Sequence, residues 1–444
     1  MVSSRSIGGG SLEQKSRENR QPINYESPDH QPADVGIAVN TEAESVDVKL
    51  EAKPADREPA DTQPATEPLE IEPAANPATG NAKSSDRLSS QQLRVLQALR
   101  RCSGIPDRVP KGEFGIEPKL CRRLIDLTEV ASPGQPAVSS ERDRLRRTLE
   151  ILGMDFTAIN PVWPARQRLG QDARGRELEL DFWGNQVAAV GSSKGVVVPA
   201  CRGIAELSAY QLPRLDQIDF AAIGQWSQDT PFFIFTQVPG PFSLLAGLTL
   251  FLDFLGFTET HSQEIKRLVL AAGEWLSEYC RRCISQGAQG IVITDDLAYD
   301  RGPWIAPSVL DQLFFPALAE LVRNTKYLGV PVVLHSDGDM RLLLPYLVEL
   351  GFDGLHSLQP SAGNDLGVIK AKYGSSLCLI GNMDCNYLLP QGTVSEVATA
   401  TWETLRVGAP GGGYILSSSA GILSGDWPAE NVIAMYQTAE RFAG

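Results

Sequence analysis

Histidine is scarce here, with four in 444 residues, and methionine is nearly as rare at five. No GxGxxG or Walker-type run follows an early strand pattern, which argues against a dinucleotide or P-loop domain. The Gly-rich "GAPGGGY" (408–414) precedes a strand pattern and reads as a helix-to-strand loop. Concentrated basic charge is also missing. The formal net charge is −14 with a sequence pI near 4.9, which disfavours a nucleic-acid role, since phosphate binding needs concentrated Lys and Arg. The most apolar stretch, "FSLLAGLTLFLDFLGF" (242–257), contains Asp253 and is short for a membrane span, so no membrane role is expected. The opening "MVSSRSIGGGSLEQKSREN" has no apolar h-region, so no signal peptide and a cytoplasmic protein are expected. Seven cysteines, odd in number and widely scattered, do not make a disulfide framework. The "EYCRRC" pair, Cys280 and Cys283, has no second CxxC and lies in a helical pattern, so both are read as reduced and structural.

The composition that is present divides the chain. Residues 1–85 are rich in Pro, Ala and Glu, with almost no large apolar side chains, and predict a disordered acidic tail. From residue 86 to 444 helical and strand-like patterns alternate, which argues for a parallel sheet with helices around it. Ser90 is a candidate N-cap for the first helix, with Leu93, Val95, Leu96 and Leu99 on its apolar stripe.

Eight segments qualify as strands: those starting at Arg108, Asp155, Pro231, Gly290, Pro331, Phe352, Leu377 and Gly411. Most begin with a short apolar run and end in polar, Gly or Pro residues. That pattern predicts an α/β fold, a (β/α)8 TIM barrel whose strand C-termini share one mouth. The stretch "RQRLGQDARGRELELDFWGNQVAAV" alternates like a hairpin and is expected as an insertion over the mouth.

Candidate functional groups cluster at these strand ends. "PVVLHSDGD" places His335 and Asp337 two residues apart on an extended segment, an arrangement suited to acid/base work or to two metal ligands. Asp295 and Asp296 follow "IVIT"; an inward carboxylate there is a candidate proton donor or cation holder, and helix capping is the alternative. "GNMDC" offers Asn382 for substrate, Asp384 for substrate or as a cap, and Cys385 as a metal ligand or a small buried residue. Glu113, Gln237, Gln359 and Ser418 are candidate substrate-lining groups. Arg166 and Arg168, in the one basic cluster nearby, are candidate anchors for an anionic substrate.

"HSDGDMRLLLPYLVELGFDGLHSLQPSAGNDLGVIKAKYG", "LIGNMDCNYLLPQGTVSEV" and "GAPGGGYILSSSAGILSGDWPAENVIAMY" together resemble the uroporphyrinogen decarboxylase superfamily. "DRVPKGEFGI" and "GIVITDDLAYDRGPWIAPSVLDQLFFPAL" fit it too, so the resemblance runs from about Gln91 to the C-terminus. It implies a (β/α)8 barrel enzyme of one of two branches. In the decarboxylase branch, which acts on a tetrapyrrole in porphyrin metabolism, arginines of an "RQAGRY"-like motif bind the substrate acetates; here that place reads "VPKGEFG". In the corrinoid methyltransferase branch, zinc is held by a His-x-Cys pair and a later Cys. His335 matches the first ligand, while Asp337 and Ala420 stand at the thiolate positions. Zinc or another divalent metal on His335, Asp337 and Cys385 is therefore the implied cofactor. A corrinoid protein carrying the methyl group is the implied partner, and the substrate is a tetrapyrrole, corrinoid or methylated compound. The first reading is corrinoid-linked methyl transfer. Decarboxylation of a porphyrinogen-like or smaller carboxylic acid, and a non-catalytic tetrapyrrole- or corrinoid-binding barrel, remain the alternatives.

Overall fold

A computed structural model describes residues 88–100, 104–131, 140–190 and 193–442. The expected tail, residues 1–85, lies outside the described residues, as does Cys102.

Each of the eight predicted segments contains a strand. They are β1 (Gly112–Glu113), β2 (Phe156–Ala158), β3 (Phe233–Pro239), β4 (Gly290–Thr294), β5 (Val332–Ser336), β6 (Gly354–Ser357), β7 (Cys378–Met383) and β8 (Tyr414–Ser418). All pair in parallel in chain order. A parallel bridge between Lys111 and Leu416, with the Leu416 amide donating to the Pro110 carbonyl at 2.9 Å, joins the last strand to the first. Helices occupy the crossovers, as right-handed βαβ connections require.

The barrel interior is packed with large side chains. Phe114, Phe156, Phe233 and Phe235 are buried together with Val292, Val333, Ile380 and Ile415. The Phe114 ring lies 5.3 Å from Phe156 and 5.4 Å from Phe235, in the tilted and edge-on geometries aromatic quadrupoles favour. Gly112 makes room for this: a Cβ there would lie 2.6 Å from the Phe156 ring. The helix Ser90–Arg100 closes the N-terminal end, adding Val95, Ala98 and Leu99 to the same core. Its cap is Ser89, one residue before the expected Ser90, with Oγ accepting from the Gln92 amide at 3.1 Å. At this end the fully buried Asp155 carboxylate gathers Arg108 at 2.7 Å and Arg94 at 3.1 Å. The amide of Lys111 donates to the same group at 3.0 Å.

Between β2 and β3 the chain forms a four-stranded antiparallel meander: Gln167–Gln171, Glu177–Leu180, Gln186–Val190 and Ser193–Val198. The expected hairpin pattern is thus present and extended to four strands. Its expected place over the mouth is not where its aromatic contacts lie. Trp183 meets Trp275 at 5.5 Å and the neighbouring Trp163 stacks on Tyr279 at 5.7 Å, both on the long helix Ser262–Ser285. The turn residue Trp183 of the meander thus packs on the long helix Ser262–Ser285.

The predicted reduced state of the CxxC holds. Cys280 and Cys283 are free and buried on that same helix, and burial pushes the Cys280 thiol up to about 12. No helix among the described residues is long and apolar enough to cross a membrane.

Candidate active site

The register of the parallel sheet sets His335 on β5 directly beside His356 on β6. Their rings stack at 4.9 Å and 28°, and the two Nδ1 atoms are 2.7 Å apart, within hydrogen-bond distance. His356 is fully buried against the Phe114 ring edge at 4.7 Å. Loss of hydration, then the neighbouring His335, hold its pKa well below the ordinary histidine value, so it is neutral. His356 was not singled out from the sequence. The available signal was "GLHS", a strand ending in the same His-Ser pair as "VLHS".

Beyond the ends of β4 and β5, Asp296 and Asp337 join His335 electrostatically. Burial, then the charge of Asp337, push the Asp296 carboxyl above the usual range, with His335 opposing. Among the described residues no side chain or backbone donor reaches Asp296 Oδ1 or Asp337 Oδ1, although both atoms are buried. Asp295 Oδ2 is buried and without a partner in the same way. Gly421 lies over the outer edge of the His335 ring; a Cβ there would sit 3.7 Å from Nε2.

The two adjacent aspartates have separate jobs. Asp295 turns away from the cluster and accepts from the Ser243 amide at 2.7 Å, in the short helix Pro241–Ala246. It packs so closely on Gly240 that a Cβ there would lie 2.0 Å from its Cγ. Burial pushes its carboxyl up to about 7. Asp295 thus serves the N-terminus of the helix Pro241–Ala246, while Asp296 lies under the influence of Asp337 and His335.

Glu113, expected as substrate lining, instead lies buried between β1, β8 and the last helix. Its carboxylate accepts from Tyr436 Oη at 2.7 Å, the Ser418 amide and Oγ at 2.8 Å, and Ser417 Oγ at 3.0 Å. Burial outweighs these bonds and raises its pKa to about 7. Ser418 is held by the same group and is equally enclosed. Asp384 caps the following turn, accepting from the Tyr387 and Leu388 amides at 3.0 and 2.9 Å. Gln359 accepts from the Gly338 amide at 3.0 Å, which fixes the turn after Asp337. Asn382 donates to the Leu358 carbonyl at 3.2 Å. Gln237 pairs with Asn160 at 2.9 Å in both directions, at the rim. Arg166 and Arg168 are exposed on or beside the meander, and Arg168 pairs with Glu177 there, so the structure does not bring them to the acidic cluster.

The thiolate zinc set implied by resemblance does not fit these residues. Cys385 takes a hydrogen bond from Ser419 Oγ at 3.2 Å, and burial pushes its thiol up to about 12. Among the described residues no three His, Cys, Asp or Glu side chains converge in a metal-holding arrangement. His335, Asp337 and Cys385 are therefore not a formed ligand trio.

Comparison with known proteins agrees with the architecture. The family model described as "Uroporphyrinogen decarboxylase (URO-D)" matches residues 202–442, more than half of the chain. The chain belongs to the uroporphyrinogen decarboxylase family. Within it, one curated relative is a methylated-thiol–coenzyme M methyltransferase of Methanosarcina mazei, 24% identical over 201 residues. That alignment covers 45% of this chain and 51% of the relative, so the chain spans about half of the relative's length. A solved methyltransferase structure from Methanosarcina mazei superposes with a TM-score of 0.59 at 19% identity, over 81% of this chain and all of the other. At that identity the likeness is one of fold.

Proposed function

We propose that this protein is a methyltransferase-type member of the uroporphyrinogen decarboxylase family. It would act at the barrel mouth on a small methylated compound and exchange the methyl group with a corrinoid protein. The observation that carries the reading is the electrostatic link at the strand ends, where Asp337 and His335 act on the buried Asp296, while Arg166 and Arg168 lie on or beside the meander. A polycarboxylate such as a porphyrinogen would bring negative charge to a mouth that is already acidic, which repels it. A neutral or cationic methyl compound meets no such penalty. The methyltransferase relatives point the same way.

The corrinoid partner supplies the centre that takes the methyl group. What this chain's residues do is move the accompanying proton. The methyl–heteroatom bond breaks, and an alkoxide or thiolate leaving group is protonated as it departs, whereas an ammonium substrate leaves as a neutral amine. Asp296, whose carboxyl is pushed above the usual range by burial and then by the charge of Asp337, gives that proton. His335 and Asp337 orient the substrate and reload the acid. No metal enters this scheme, because the donor set does not fit one.

The test offers methanol, methylamines, methoxyaromatics and methyl thiols with free cob(I)alamin, and follows methylcobalamin by its visible absorbance. Formation dependent on the protein, and reduced about 10²–10⁴-fold in His335→Ala, is expected. Release of CO2 from a porphyrinogen without any methylcobalamin would replace the reading with decarboxylation. Tight cobamide binding without turnover would make the barrel a carrier.

A further inference from the structure

The hydrogen bonds around His356 fix how His335 carries its proton. His356 Nε2 faces two oxygens. One is the Ser418 carbonyl at 3.1 Å, which only accepts. The other is Ser417 Oγ at 3.5 Å, which gives its own proton to Glu113 Oε2 and so turns a lone pair outward. Nε2 of His356 must therefore be the N–H donor. A neutral imidazole has one N–H, so His356 Nδ1 is the acceptor. Among the described residues no carboxylate bonds this ring, and its surroundings are Phe114 and the buried barrel interior, which disfavour an imidazolium. Across the 2.7 Å contact, the donor must then be His335 Nδ1.

We propose that His356 is a positioning residue that locks His335 in its Nδ1–H tautomer, so that His335 Nε2 faces the mouth as a hydrogen-bond and proton acceptor. Nε2 is also the edge that Gly421 leaves uncovered. A Cβ there would stand 3.7 Å from both Cε1 and Nε2, so the glycine keeps that edge of the ring open. Histidine takes the part a carboxylate or carbonyl plays behind other working histidines, and it does so without adding charge to an already acidic mouth. The inference is independent of which reaction runs at the mouth, since it concerns only where one proton rests.

The experiment is a long-range ¹H–¹⁵N correlation spectrum of the full chain labelled at histidine, recorded at neutral pH. The four histidines are assigned by single substitution. His335 is expected to show a protonated Nδ1 and a bare Nε2, and His356 the reverse. A His335 ring protonated at Nε2, or an imidazolium at His356, overturns the proposal. His356→Phe removes the acceptor and should release His335 into a mixture of tautomers. His356→Asn offers Oδ1 in its place and should restore the single form. Retention of the pure Nδ1–H form in His356→Phe would show that something else positions His335. The wild-type spectrum decides the tautomer even if the phenylalanine variant does not fold.

Discussion

A single residue step separates two carboxylates with different surroundings. Asp295 is drawn toward a helix N-terminus and Asp296 toward His335, because successive side chains leave a strand in opposite directions. Sequence showed the pair but not the assignment, since nothing local says which side of β4 carries the short helix and which the mouth. Glu113 was misread for a related reason. A carboxylate at a strand end looks like mouth lining, and the donors that enclose it arrive from β8 and the last helix, about three hundred residues later. Its burial has a measurable consequence. With the folded pKa near 7 and the ordinary value at 4.5, the native state holds this proton more tightly than the unfolded chain. Stability attributable to Glu113 is therefore full below about 4.5 and falls, by on the order of 3 kcal/mol, as pH rises to about 7. Asp295 contributes with the same sign. Denaturant midpoints for Glu113→Gln should show a shallower decline between those pH values than wild type, on a lower baseline because an amide cannot accept from all four donors. An unchanged slope would place the titration elsewhere.

Turns and strand ends carry the site, and they are sterically exact. Gly338 follows Asp337 with φ of 82°, and a Cβ there would lie 2.6 Å from the Ala298 and Tyr299 backbone. Gly338→Ala must both strain the turn and push it from the β4 loop, so a loss of about 2–3 kcal/mol is expected, with methyl transfer falling in proportion to the displaced His335. A variant as stable and active as wild type would show that this turn does not hold the site. At the opposite end of the barrel, Asp155 is satisfied by two arginines and a backbone amide. Asp155→Ala leaves both guanidinium groups without this partner and should cost about 3–5 kcal/mol in chemical denaturation, while the turnover of the folded fraction stays unchanged. A large fall in turnover per folded molecule would contradict that separation of stability from chemistry.

Across the whole molecule, the eight strands were legible because burial on both faces leaves an uninterrupted apolar run that ends where solvent begins. The meander was legible as antiparallel pairing but not as to destination. Its alternation says that one face is apolar, and only the tertiary fold reveals that its turn residue Trp183 meets Trp275 on the long helix. Replacing residues 167–198 with a short loop should expose those rings, lower the melting temperature and leave the His335–His356 signals unchanged. Loss of the histidine pair in that variant would mean that the meander builds the mouth after all.

The most direct test of the account compares two variants one residue apart, Asp296→Asn and Asp295→Asn, in the methylcobalamin assay. The account predicts that Asp296→Asn loses about 10²–10⁴-fold in turnover at near-native stability, while Asp295→Asn, which keeps an acceptor for the Ser243 amide, stays within a few-fold of wild type. Equal losses, or the greater loss at Asp295, would contradict the assignment of the reacting proton to the cluster around His335.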